Sequence, residues 1–260
     1  MFRAPCPFQW GPFTSRTPTN EPMNTQPTTH IYFLLDRSGS MARIADDVIG
    51  GFNTFLKQQQ AEGPDARITL VQFDSRDPQH IVLDGAPITE ATPLSHRTFL
   101  PRGGTPLLDA TGLLIEKAMG VASSASATRN GHRRPEALEG QPPVADHRGL
   151  RPSKAPAAEH ILFVTLTDGE ENQSRFFSLA RIRELIAERT AAGWAFLFLS
   201  AGPDAYGEAH RMGIAQDRTV SFCADSVGTQ EAMEHISRST SQFRRERRFG
   251  TGPSSPEDQR

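Results

Sequence analysis

Three stretches of the chain are apolar without polar alternation: Ile31 to Leu35, Ile161 to Leu166, and Trp194 to Leu199 ahead of Ser200. Runs of this length and type predict strands buried on both faces, as in the middle of a parallel sheet. Ala66 to Phe73 alternates enough to allow one less-buried face, and Thr219 to Cys223 reads as a last strand that seats Cys223 as an inert core thiol. Gln79 to Leu83 is a short strand joined to Ala66–Phe73 by the polar turn from Asp74 to Pro78. So short a connection requires an antiparallel pair, placed at a sheet edge, with Asp74 and Asp77 as turn formers.

Between the strands the apolar positions change to helical spacing. Ile44, Val48, Phe52, Phe55 and Leu56 give one stripe and predict a helix from about Ala42 to Glu62, ended by Gly63-Pro64-Asp65. Leu113, Leu114 and Met119 continue a helix whose first position suits Pro106. Leu179, Ile182, Leu185 and Ile186 mark the next, Asp204 to Met212 a short one, and Met233, Ile236 and Phe243 a terminal helix from Glu231 to about Phe243. The arginines at its end, Arg244, Arg245, Arg247 and Arg248, suit the negative pole of a helix dipole. Strands alternating with helices predict an α/β fold with a mostly parallel sheet and one antiparallel edge strand.

The periodicity fails in three places. Residues 1–29 are rich in Pro, Thr and Asn, residues 123–159 hold scarcely any aliphatic side chain, and residues 246–260 are polar. We read a disordered leader, one domain over residues 30–245 with a disordered insertion at about 123–159, and a disordered tail. The insertion is basic through Arg129, His132, Arg133, Arg134, His147, Arg148, Arg151 and Lys154, yet it lacks the interleaved aromatics that stack on bases. A formal net charge of -2 gives no reason to expect nucleic acid or an acidic membrane as partner. Cys6 and Cys223 lie far apart, no run is long enough to span a bilayer, and the N-terminus lacks the order of a secretion signal. These features together predict a cytoplasmic protein.

Candidate chemistry gathers where the apolar strands stop. Ile31–Leu35 ends in Asp36, which opens the spacing Asp36-x-Ser38-x-Ser40, one carboxylate and two hydroxyls on alternate residues. Ligands collect at the carboxyl ends of strands in such sheets. These hard oxygens, with no sulfur or imidazole among them, suit Mg²⁺, Mn²⁺ or Ca²⁺. The same residues also suit an ordinary strand-to-helix turn in which Asp36 or Ser40 caps the following helix. Thr105 follows Gly103 and Gly104 at the start of the next helix, where it is either a further hydroxyl ligand or an N-cap, and Asp109 reads as a first-turn acid. Ile161–Leu166 delivers a second strand-end carboxylate, Asp168; Glu170 and Glu171 beyond it read as exposed loop acids.

The set Asp36-Arg-Ser38-Gly-Ser40-Met, Gly103-Gly-Thr105-Pro-Leu and Leu166-Thr-Asp168-Gly, in this order, resembles the von Willebrand factor A domain family over roughly His30 to Phe243, excluding the insertion. The resemblance implies a doubly wound, mostly parallel sheet with one antiparallel edge strand, in three α/β/α layers, and a metal-ion-dependent adhesion site at its upper edge formed by Asp36, Ser38, Ser40, Thr105 and Asp168, holding Mg²⁺ or Mn²⁺. It implies a protein-interaction module rather than an enzyme, in which another protein supplies an Asp or Glu to the metal. Without a secretion signal, the chain is more similar to the intracellular, often bacterial or phage, members. Arg37 would either steer the incoming anion or face solvent, and Glu257 or Asp258 of the tail would be internal stand-ins for the partner's acid. The alternative is a Mg²⁺-dependent phosphotransferase or phosphatase using Asp36. Such enzymes need a second acid two residues on or a phosphate-binding lysine, whereas Ser38 stands there and no lysine lies near a motif.

Overall fold

The computed structural model describes residues 29–120 and 159–249. The expectations for most of the leader, the insertion and the tail fall outside them. The described chain runs β1 (Thr29–Asp36), α1 (Ala45–Ala61), β2 (Ala66–Asp74), β3 (Asp77–Pro87), α2 (Leu107–Ala118), β4 (His160–Thr167), α3 (Leu179–Ala191), β5 (Ala195–Ser200), α4 (Ala205–Met212), β6 (Thr219–Ser221) and α5 (Ser226–Phe249). The strands form one sheet of order β3-β2-β1-β4-β5-β6, and only the β2–β3 pair is antiparallel. This is the doubly wound, mostly parallel α/β architecture with an antiparallel edge strand.

Side-chain alternation along the central strands builds the two outer layers. Ile31, Phe33 and Leu35 of β1 face α1 and α5 together with Leu162, Val164 and Leu166 of β4, while Tyr32 and Leu34 face α2, α3 and α4 with Phe163. Every residue of β1 is buried, as expected for a strand covered by helices on both faces. On one side Phe33 meets Phe52 edge-on at 5.4 Å between ring centroids and Phe55 at 5.6 Å, so the α1 stripe is read directly against the sheet. Gly51 lets α5 approach α1 closely: a Cβ there would stand 2.5 Å from Met233 Cγ.

Four departures from the sequence expectations have physical causes. The edge strand β3 runs Asp77–Pro87 rather than Gln79–Leu83, because its pairing with β2 continues through register shifts, and its half-buried side chains leave little alternation to read. The helix expected from Ala42 begins as a 3₁₀ turn over Gly39–Ile44 before α1 starts at Ala45. β6 stops at Ser221, so Cys223 is exposed and is not a core thiol. The last helix is longer at both ends. Asp225 Oδ1 accepts the Gly228 N–H at 2.8 Å near its start, and residues 246–249, expected in the tail, extend it to Phe249.

The arginines at that end are not simply dipole cations. Arg244 is fully buried and donates to the carbonyls of Gln59 and Gly63 at 2.7 and 2.9 Å and to Asp65 Oδ1 at 2.5 Å, with Arg248 donating to Asp65 Oδ2 at 2.8 Å. They tie α5 to the turn after α1. Burial pushes the Asp65 carboxyl up, but the hydrogen bonds and charges of Arg244 and Arg248 outweigh it and hold the group below the usual carboxylate range. Among the described residues no helix is long and apolar enough to cross a membrane.

Two outcomes test this account. Phe33→Ala should lower unfolding free energy by about 3–5 kcal/mol in urea titration with the m value nearly unchanged. Asp65→Asn should cost about 1–3 kcal/mol at neutral pH. Because the folded pKa is depressed, the stabilisation by Asp65 is present above the unfolded carboxylate pKa and is lost as pH falls through the folded one. The gap between parent and variant should therefore close in acid.

Candidate functional site

The strand order reverses direction between β1 and β4: β2 and β3 lie to one side of β1, β5 and β6 beyond β4. Chain crossovers leave in opposite directions at such a point, opening a crevice at the carboxyl ends of the strands. Asp36 closes β1 and Asp168 follows the last residue of β4 at this crevice.

Asp36 is wholly buried. Its Oδ1 accepts the Ser38 N–H at 2.6 Å, and its Oδ2 accepts the Thr167 hydroxyl at 2.6 Å. Burial pushes its carboxyl up to about 7, against the pull of the hydrogen bonds from Thr167 and Ser38. The chain then turns at Ser38, whose φ of -64° and ψ of 165° keep it extended ahead of the 3₁₀ turn. That turn returns Ser40 to the same crevice. Ser38 Oγ and Ser40 Oγ lie 3.0 Å apart, and the Ser40 hydroxyl donates to Asp168 Oδ1 at 2.6 Å. Thr105 arrives from the loop before α2: a Cβ placed on Gly169 would stand 3.2 Å from Thr105 Oγ1 and 3.9 Å from Ser40 Oγ. The fold thus brings the hydroxyls of Ser38, Ser40 and Thr105 and the carboxylates of Asp36 and Asp168 to one place.

One oxygen of this cluster is unsatisfied. Asp168 Oδ2 is buried and has no hydrogen-bond partner among the described residues; it pairs loosely with Arg43, whose Nη2 lies at 4.0 Å on a side chain that is 70% exposed. Buried polar atoms without partners are uncommon and costly, and here two buried carboxylates share a hydroxyl-lined crevice with no buried cation. A hard divalent ion fits such an oxygen-only set. Among the described residues no three His, Cys, Asp or Glu side chains converge as a metal cluster; here three of the five residues, Ser38, Ser40 and Thr105, bring hydroxyls.

Other acids hold the loops that carry these residues. Arg37 is buried and turns away from the crevice, its Nε and Nη2 reaching Asp74 Oδ2 at 2.8 and 2.6 Å. It is neither solvent-facing nor placed to steer an anion. Asp74 forms its turn as expected, accepting the Arg76 and Asp77 N–H groups at 2.7 and 3.1 Å, and also receives Arg102 Nε at 3.0 Å. It thereby joins the ends of β1 and β2 to the loop before Thr105. Backbone bonds from Gly39 N to Gly103 O and from Arg102 N to Arg37 O complete that join. Gly103, at φ 69°, makes the turn. Asp109 accepts the N–H groups of Arg175, Phe176 and Phe177 at 2.7–2.8 Å. Glu171 is not an exposed loop acid. It is half-buried and accepts from Leu108 N, Gln173 N, Ser174 N and the Ser174 hydroxyl.

No family model and no curated protein matches the sequence. Solved structures do share the fold. The pilus adhesin SpaC from Lactobacillus rhamnosus GG aligns over 84% of this chain and 30% of its own, at 13% identity and a TM-score of 0.51. Proximal thread matrix protein 1 from the mussel byssus, solved with a zinc-occupied MIDAS motif, aligns over 84% and 46%, at 12% identity and a TM-score of 0.49. A von Willebrand factor type A structure from Catenulispora acidiphila aligns over 81% and 42%, at 12% identity and a TM-score of 0.45. The match spans less than half the length of each of these chains. The likeness is one of fold.

Sequence reading passed over Thr167, although a hydroxyl residue one before a strand-end acid is its signal. Thr167→Val keeps the shape and removes the donor to Asp36 Oδ2, leaving a buried oxygen unpaired, so thermal and urea unfolding should show a loss of about 1–3 kcal/mol.

Proposed function

We propose that Asp36, Ser38, Ser40, Thr105 and Asp168 hold Mg²⁺ or Mn²⁺, and that the bound ion makes the chain a protein-interaction module. The observation that carries this reading is the buried Asp168 Oδ2, without a hydrogen bond among the described residues, beside a fully buried Asp36, with three hydroxyls around them. Two carboxylates balance a divalent charge, and hydroxyl oxygens complete part of the coordination of an ion that prefers oxygen and retains water. When bound, the ion would supply an open position able to accept a carboxylate. The partner on this reading is another protein that offers an Asp or Glu, and the module is cytoplasmic and not an enzyme. Both oxygens of Asp36 already accept hydrogen bonds, from Ser38 N and Thr167 Oγ1. That favours a held ligand over an attacking nucleophile, and so favours binding over phosphoryl transfer.

Calorimetric titration of Mg²⁺ and Mn²⁺ into chelator-treated protein should show saturable binding that Asp36→Ala and Thr105→Ala both abolish. With Mn²⁺ bound, water-proton relaxation reads the open position, and excess acetate should reduce the enhancement. No heat from either ion, in protein that still unfolds cooperatively, would sink the reading.

A further inference from the structure

The loop that carries Asp168 continues into Glu170 and Glu171, and the two acids have different surroundings. The Glu171 carboxylate is filled by donors from α2 and its own loop, and its N–H donates to Glu208 Oε1 on α4 at 3.1 Å. Glu208 is 6% exposed, and its other oxygen, Oε2, has no hydrogen-bond partner among the described residues. Glu170 is exposed and makes no hydrogen bond or ion pair among the described residues. Burial, together with the charges of Glu170 and Glu171, holds the Glu208 carboxyl above the usual range against the pull of the Glu171 N–H and of the Arg211 charge.

Glu170, Glu171 and Glu208 line a cavity of about 260 Å³ whose apolar wall is Leu108, Leu179 and Met212. Arg211 also borders it, but its Nη1 is engaged by Asp204 Oδ2 at 3.0 Å. The cavity adjoins the hydroxyl–carboxylate cluster through two shared segments. Glu170 follows Asp168 and Gly169 directly, and Leu108 lies in the first turn of α2, just after Thr105.

The lining selects a ligand class. An anion would be repelled, and a neutral apolar group would leave Glu208 Oε2 unpaired. A metal ion is poorly served, since the third acid of the lining, Glu171, already spends both carboxylate oxygens on Leu108 N, Gln173 N, Ser174 N and the Ser174 hydroxyl. An aliphatic stem ending in an ammonium satisfies both halves, methylenes against Leu108, Leu179 and Met212 and the charge on Glu208 and Glu170. Lysine is the side chain with that form.

We propose that this cavity receives a lysine side chain of the same partner that offers its carboxylate to the Asp36–Asp168 cluster, so that the recognised segment carries an acid and a lysine close together. The proposal rests on the metal-dependent reading for its partner, but the cavity can be tested without metal. In chelator-treated full-length protein, n-pentylammonium should shift the methyl resonances of Leu108, Leu179 and Met212 saturably. The neutral analogue 1-pentanol should bind about tenfold more weakly or worse, the loss expected when a charge-assisted contact is missing. Glu208→Gln should weaken ammonium binding by a similar factor. Glu170→Gln, at an exposed position that leaves the fold intact, should weaken it several-fold and carries the test if Glu208→Gln does not fold. Absent shifts, equal binding of the alcohol, or parent-like binding by both variants would overturn the proposal.

A second arm uses Mg²⁺-loaded protein and peptides with one glutamate and a lysine at successive positions after it. At least one should bind about tenfold tighter than the lysine-free peptide, a gain that disappears in Glu170→Gln. If no member gains while all remain metal-dependent, the lysine site fails and the metal reading stands; if none depends on metal, the metal reading fails and the ammonium titration alone judges the cavity.

Discussion

An acid at the end of a strand buried on both faces has no route to water, and the upper edge of this sheet is built around that constraint. Burying a carboxylate without compensation is costly enough that the surroundings must donate to it or the group must take up a proton. Asp36 meets the constraint with the Ser38 N–H and the Thr167 hydroxyl, and its carboxyl is still pushed up to about 7 by burial. Asp168, just past the end of the adjacent strand β4, has Ser40 on one oxygen and, among the described residues, no hydrogen bond on the other. Hydrogen bonding alone therefore leaves the pair incompletely satisfied. A divalent cation is the simplest species that would satisfy both carboxylates at once.

The pair is held by loops, and the loops are held by other acids. Asp74 gathers Arg37 and Arg102, Asp109 gathers three successive backbone N–H groups, and Glu171 binds the first turn of α2. Each uses its charge to fix backbone, so the crevice is shaped before any ligand arrives. Pre-organisation of this kind reduces the ordering that binding would otherwise require. Asp74, buried at the edge of the site, couples three segments through one carboxylate and so resembles a keystone more than a turn residue.

Beyond the crevice, the same loop presents chemistry of a second kind. Glu170 and Glu208 place negative charge over an apolar wall a few residues from the cluster. On the proposed reading, one partner segment meets two demands, an anion at the crevice and a cation beside it. Opposite signs at adjacent positions fix the register of an incoming chain more strongly than either charge alone, since reversing the segment would set like charges together.

The order of strands and helices was legible in the sequence because buried strands and amphipathic helices have periods set by backbone geometry, and the apolar runs around Phe33, Val164 and Phe198 follow them. Asp36, Ser38, Ser40, Thr105 and Asp168 were legible as candidates because each stands where a pattern stops. Roles that depend on a distant partner were not legible. Arg37 and Arg244 look like surface cations along the chain, and they are buried because Asp74 and Asp65 wait for them in the fold. Glu171 and Glu208 sit 37 residues apart in ordinary helical and loop contexts, and only packing shows that one is filled and the other is left with a bare oxygen. Local periodicity is written in neighbouring residues; charge compensation is settled between residues far apart in the chain, and only the tertiary structure brings those together.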